Sequence, residues 1–206
     1  MLQILIKGGP LIVPLIFCSI LALAIIIEKF ITLKIIETRS RRFIDKTRSI
    51  INGDEDNKTE KVLALCEMTS SPLSRILKAG IEKKDREREE IREALEDAGS
   101  SEIPYLEKHL KILGTIVTVA PLIGLLGTVV GMIKVFKAFN VIALKGVGEP
   151  GALAGGIAEA LITTAVGLSI AIPSLIFYNY FMHRTDKIVR QFEKVSSEFI
   201  DFLLRK

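Results

Sequence analysis

Thr128 and Thr164 each stand well inside a long apolar run, in the strings GLLGTVVG and LITTAVGL. A hydroxyl donates and accepts at once, so in such a place it can order water or hydrogen-bond a carboxyl. The competing reading is structural, because a threonine in an apolar helix commonly bonds its own carbonyl one turn back. Thr163 adjoins Thr164, and Glu159 is the one carboxylate of its run. An ionisable group among apolar residues is costly and is expected to face a protein interior or an aqueous cavity, as a pairing partner or a proton site. The candidate ion-pathway residues are therefore Thr128, Thr164, Glu159 and Thr163. Lys134, near the end of the second apolar run, is expected to snorkel.

Other chemistries find no support in the residue pattern. His109 and His183 lie apart and form no catalytic constellation in the sequence, so no enzyme site is expected. No His, Cys, Asp or Glu spacing suits a metal, and no cofactor is called for. The glycines of GLLGTVVG sit inside an apolar run and do not form a phosphate-binding loop. Cys18 and Cys66 fall in very different surroundings, which argues against a disulfide. The formal net charge of +4 could indicate nucleic acid. The lysines and arginines, however, cluster beside the apolar runs, as they do on one side of a membrane protein.

Small residues recur at close spacing in the same two runs. Ala120, Gly124 and Thr128 are four apart, with Gly127 and Gly131 beside them; Ala152, Gly156, Ala160 and Thr164 repeat this, with Gly155 alongside. Lipid does not drive apolar helices together, so their association relies on small residues that let backbones approach. Small stripes on more than one face imply several neighbours and hence copies of the chain. Pro121 and Pro173 lie mid-run, where each removes a backbone hydrogen bond and invites a bend.

Three apolar runs must position these residues. The first, from Pro10 to Ile27, covers about 27 Å as a helix, close to the hydrocarbon thickness. A cleaved leader is the rival reading, since Ala22-Leu23-Ala24 imitates a cleavage site. The weakly basic head and the continuation through Ile25, Ile26 and Ile27 oppose it. The chain of 206 residues, 49% apolar, is therefore expected to be an all-α membrane protein with three spans. The expected boundaries are an outer segment 1–9, spans at 10–28, 112–136 and 153–182, a large inner segment 29–111, an outer loop 137–152 and an inner C-terminal helix 183–206. Basic residues follow the first and third spans, whereas the 137–152 connection carries few. The N-terminus is thus expected outside and the C-terminus inside.

The inner segment reads as mostly helical. Asn57 or Thr59 is expected to cap a helix through Met68, and Ser71-Pro72 to open another toward Lys83. A third is expected from Asp85, carried by propensity, since its like and unlike charge pairs offset one another. Pro104 marks an expected helix boundary, with unbroken helix from about Tyr105 into the second span. Ile188, Phe192, Val195, Phe199 and Phe202 recur at helical spacing, so the third span is expected to run on as a helix and bundle with the extension of the second.

The strings VAPLIGLLGTVVGMIKVF (Val119 to Phe136) and GGIAEALITTAVGLSIAIPSLIFYN (Gly155 to Asn179) closely resemble the paired motifs of the ExbB/TolQ proton-channel proteins, and GGPLIVPLIFCSILALAIIIEKF resembles their first span. The similarity covers essentially the whole chain except about residues 40–70. The flagellar stator subunit MotA is a more remote, larger relative with four spans. The resemblance implies a bacterial inner-membrane pentamer around two single-span helices of an ExbD/TolR-type partner, whose membrane aspartate carries protons. It implies force passed to a TonB- or TolA-type protein, for outer-membrane transport in the ExbB branch or envelope maintenance in the TolQ branch. It maps the family's lumen threonines to Thr128 and Thr164 and its third-helix glutamate to Glu159. Thr163 occupies a position often held by Ala.

Overall fold

The computed structural model describes residues 8–53, 57–145 and 150–204. Among them are six helices and no strand: α1 (Ile12–Asn52), α2 (Lys58–Met68), α3 (Pro72–Glu82), α4 (Arg88–Glu107), α5 (Leu110–Lys145) and α6 (Pro150–Leu204). Three of these, α1, α5 and α6, are long and apolar enough to cross a membrane, and the fold is all-α. At 1.5 Å per residue the 55 residues of α6 extend about 80 Å, whereas the hydrocarbon core takes about 30 Å. Helix α5 continues through Lys145, so much of the expected 137–152 loop is helical; residues 146–149 of that loop, and 1–7 of the expected outer segment, lie outside the described residues.

The chain divides into two compact units: Met1–Ile27 with His109–Tyr180, and Glu28–Lys108 with Phe181–Lys206. In the first, the apolar windows bury only 28% of their residues within the chain. Large apolar side chains such as Phe17, Leu122, Leu161 and Ile176 are more than 60% exposed. A water-soluble fold could not carry that surface; lipid or other chains must cover it.

In the second unit α3 packs on α4, and α2 on α3. Helix α3 buries Leu73, Ile76, Leu77 and Ile81, and its Gly80 has Leu95 of α4 pressed against it. Its start is fixed locally. Ser71 accepts from the Ser74 amide while Ser74 accepts from the Ser71 amide, each at 3.2 Å, and Pro72 opens the first turn, where its missing N–H costs nothing. Arg75 grips Glu102 through both carboxylate oxygens. Within the same unit, α1 past Glu28 lies against the last part of α6. Leu33, Ile36, Phe43 and Ile44 are buried, Phe30 meets the edge of Phe181 at 5.3 Å, and Arg48 pairs with Glu198.

Four local expectations need correction. Asn57 precedes α2 in a left-handed conformation (φ 62°) and its side chain caps nothing. Helix α4 begins at Arg88 rather than Asp85. Pro104 lies inside α4, and the helix is not unbroken from Tyr105: it stops at Glu107 and restarts at Leu110. The break is at Lys108 and His109, the latter at φ 67°. The reason is tertiary. In a continuous helix the Leu106 carbonyl would accept from the amide of residue 110; here the buried ammonium of Lys29 takes that carbonyl at 3.0 Å. His109 then serves as the new N-terminus, its carbonyl accepting from Ile112 and Leu113.

Candidate functional site

Helices α5 and α6 meet along an antiparallel seam of small residues. A methyl group placed on Gly131 would stand 2.7 Å from both the Ala160 Cβ and the Gly156 carbonyl oxygen; one on Gly167 would stand 2.6 Å from the Ala120 carbonyl oxygen. A methyl group on Gly127 would stand 2.5 Å from the Thr163 side chain, and one on Gly124 would stand 3.1 Å from the Thr164 Cα. The backbones touch because nothing larger intervenes. The small stripes that suggested contacts between copies thus bring together α5 and α6 of one chain. Gly155 is the exception, with nothing within 4 Å. Pro121 and Pro173 each lie inside an uninterrupted helix.

The four candidate pathway residues divide between the two edges of this seam. Glu159 accepts from the Lys134 ammonium through both oxygens, at 2.6 and 2.7 Å. Thr163 is fully buried, and its single hydroxyl proton is shared between the Glu159 carbonyl (2.7 Å) and, within the same unit, the Gly8 carbonyl (3.0 Å). Gly9, at φ +70°, lies against the Glu159 carboxylate so closely that any side chain there would collide with it. Glu159, Thr163 and Lys134 therefore join α5, α6 and the residues leading into α1.

Thr128 and Thr164 are half-buried. Thr164 donates across the seam to the Gly124 carbonyl at 2.8 Å, and Thr128 donates to Leu125 of its own helix at 2.6 Å. At 100° per residue, Thr128 stands about 70° from the centre of its helix's small stripe, and Thr164 about 70° from its own, in the same rotational sense. Lys134 and Glu159 deviate by about 50° and 70° in the opposite sense. On antiparallel helices an equal sense means the same side. The salt bridge of Lys134 and Glu159 marks one edge of the seam, and the two threonine hydroxyls mark the other. The sequence showed these residues but not this partition, because Lys134 read as a snorkelling end residue. Its signal was the register: in an antiparallel pair facing Gly131 with Ala160, Lys134 must come level with Glu159.

The hydroxyl edge is otherwise apolar, with Leu125, Leu161 and Leu168 exposed on it. On the far side of α6, an apolar groove of about 490 Å³ runs between Ile16, Ser19 and Ile20 of α1 and Ile162, Val166 and Ser169. Among the described residues no three His, Cys, Asp or Glu side chains converge as for a metal.

These features define a multi-pass α-helical membrane protein in which two close-packed spans carry hydroxyls on one edge and a salt bridge on the other. The chain belongs to the MotA/TolQ/ExbB proton channel family, which matches residues 68–194. It is similar to an ExbB-like biopolymer transport protein of Synechocystis sp., 33% identical over 174 residues that make up 84% of this chain and 81% of that one. It is also similar to the Tol-Pal system protein TolQ of Pseudomonas aeruginosa (36% over 118 residues, 57% of this chain and 50% of that one). The biopolymer transport protein ExbB of Xanthomonas campestris is 35% identical over 109 residues, 53% of this chain and 42% of that one. Membership makes this a multi-pass inner-membrane protein of the proton-channel and stator type, and not an enzyme.

Proposed function

We infer that the chain is the proton-channel and stator subunit of a motor driven by the proton-motive force, of the type ExbB, ExbD and TonB form, which energises outer-membrane transport. One observation carries this reading: Thr128 and Thr164 share an edge on which the spans offer no carboxylate. Glu159, the only acid of the α5 and α6 spans, is turned to the opposite edge and engaged by Lys134. Two hydroxyls can order water and hydrogen-bond a carboxyl, but they cannot carry a proton through about 30 Å of hydrocarbon. The carrier must be an acid from another chain, which fits an ExbD/TolR-type dimer of single-span helices.

The exposed apolar faces of α5 and α6 favour a ring of copies around such a partner, five by resemblance to the family, with lipid outside. Basic residues after α1's apolar run and after Tyr180 favour an outward N-terminus and an inward C-terminus. A TonB-type protein would receive the force. A TolQ-type role with a TolR partner and a TolA-type receiver is the second reading, favoured by the likeness to the Pseudomonas TolQ.

The test is proton flux in vesicles holding the chain and its copurified partner. Thr164→Val, which keeps volume and removes the hydroxyl, is expected to lower flux at least tenfold while the assembly persists. Undiminished flux would overturn the reading, and the identity of the copurified partner separates the two branches.

A further inference from the structure

The small-residue seam has a weakness as a specifier. Its small positions recur about every four residues on both helices: Ala120, Gly124, Gly127 and Gly131 on α5, and Gly156, Ala160, Thr163 and Gly167 on α6. Sliding α6 by one repeat, about 6 Å, so that Ala160, Thr164, Gly167 and Ala171 take the places of Gly156, Ala160, Thr163 and Gly167, again sets small residues against small ones, whereas the opposite slide would bring Glu159 to the place of Thr163 against Gly127. Close packing alone therefore leaves two registers open, much as a flat strand pair slips. The relative depth of Thr128 and Thr164 would change by the same 6 Å.

One contact across the seam has no counterpart one repeat away. Lys134 reaches both oxygens of Glu159, and that slide would face the ammonium with Thr163 in place of the carboxylate. The carboxylate is 16% exposed and Lys134 47%, so the acid is sheltered while its partner reaches outward. The same acid abuts Gly9, and Thr163 one turn along holds the Gly8 carbonyl. A single polar contact that fixes register among degenerate apolar packings is the best-attested use of a buried polar group.

We propose that Lys134 and Glu159 form a register lock: a pair of positioning residues that selects one of the two small-residue registers of α5 on α6 and seats the Gly8–Gly9 approach to α1. Glu159 thereby acts on the threonines through the helix backbone. Only the functional consequence of this lock rests on the channel reading above; the lock itself does not.

Disulfide trapping in native membranes tests it. Val135 touches Gly156, so the pair Val135→Cys with Ile157→Cys reports the observed register, and Val135→Cys with Leu161→Cys reports a slide of one repeat. In the otherwise natural sequence, and with Lys134→Arg, the first pair is expected to dominate. With Lys134→Met and Glu159→Met together, which leave no unpaired charge, the second pair is expected to rise at least tenfold. Exchanging the two charges, Lys134→Glu with Glu159→Lys, is expected to restore the first pattern. An unchanged pattern in the double-methionine chain overturns the lock. Flux with the partner is the separate arm: a slid register with undiminished flux upholds the lock and counts against the threonine reading of the channel.

Discussion

Lys29 and Leu106, 77 residues apart, make one hydrogen bond that ends a helix. The Lys29 side chain is 1% exposed, and its ammonium occupies the carbonyl from which α4 would otherwise continue into α5. Replacing it with methionine keeps most of the bulk and removes the donor. Lys29→Met is expected to destabilise the folded chain by about 1–3 kcal/mol, the cost of a buried acceptor left without a donor. Lys29→Ala is expected to cost more, since it adds a cavity. Thermal unfolding in detergent measures both.

Glycines in the seam and outside it should answer oppositely to the same change. At Gly167 a methyl group meets the Ala120 carbonyl oxygen at 2.6 Å, a backbone atom that cannot rotate away. Gly167→Ala is expected to push α5 and α6 apart and to cost about 1–3 kcal/mol by overpacking. Gly99, inside α4, has nothing within 4 Å. Gly99→Ala is expected to stabilise by about 0.5–1 kcal/mol, through helix propensity and a less free unfolded chain. Paired melting curves of the two variants check the opposition.

Cys66 supplies a pH dependence. Burial pushes its thiol up to about 11 from the usual 9.0. The unfolded chain releases this proton near pH 9 and the folded chain keeps it to about 11, so the folded state holds more protons in between. Stability from this group is intact below pH 9 and is lost as pH rises toward 11, by at most about 2–3 kcal/mol. Cys66→Ala is expected to flatten that part of the stability profile. Alkylation of Cys66 at pH 8 is expected to run about 100-fold slower than for an ordinary exposed thiol, since only the thiolate reacts.

Three hydroxyl oxygens, of Ser40, Thr47 and Thr185, are buried with no hydrogen-bond partner among the described residues. An isosteric apolar replacement removes the unmet polar group and keeps the packing. Thr47→Val and Thr185→Val are each expected to raise stability by about 1 kcal/mol, read as an increased melting temperature. A fall would mean that these hydroxyls are satisfied in solution.

The apolar runs were legible because three windows almost free of charge, each long enough to cross a bilayer as a helix, are the plainest pattern a chain can carry. Ser71-Pro72 was legible because a cap followed by proline is local chemistry. The continuation of α1 to Asn52 was hidden. Its buried stripe, Lys29, Leu33, Ile36, Ser40, Phe43 and Thr47, keeps a strict four-three rhythm, yet half of its members are polar, so no hydrophobic period stood out. Pro104 misled because a proline is a visible helix breaker, whereas the real stop at Lys108 and His109 depends on a lysine far away in sequence. At the site, Thr128, Thr164 and Glu159 were visible as polar residues in apolar strings. Their division between two edges was not, because it requires the axial register of α5 against α6.

The leucines that crowd the threonine edge have a consequence for the cell that makes this protein. Charge placed on such a surface without a dedicated acceptor meets a solvation penalty of tens of kcal/mol by Born reckoning. Under the proposed function, a polypeptide inserted ahead of its partner is therefore expected to insulate by composition, so that it could accumulate in excess without discharging the membrane.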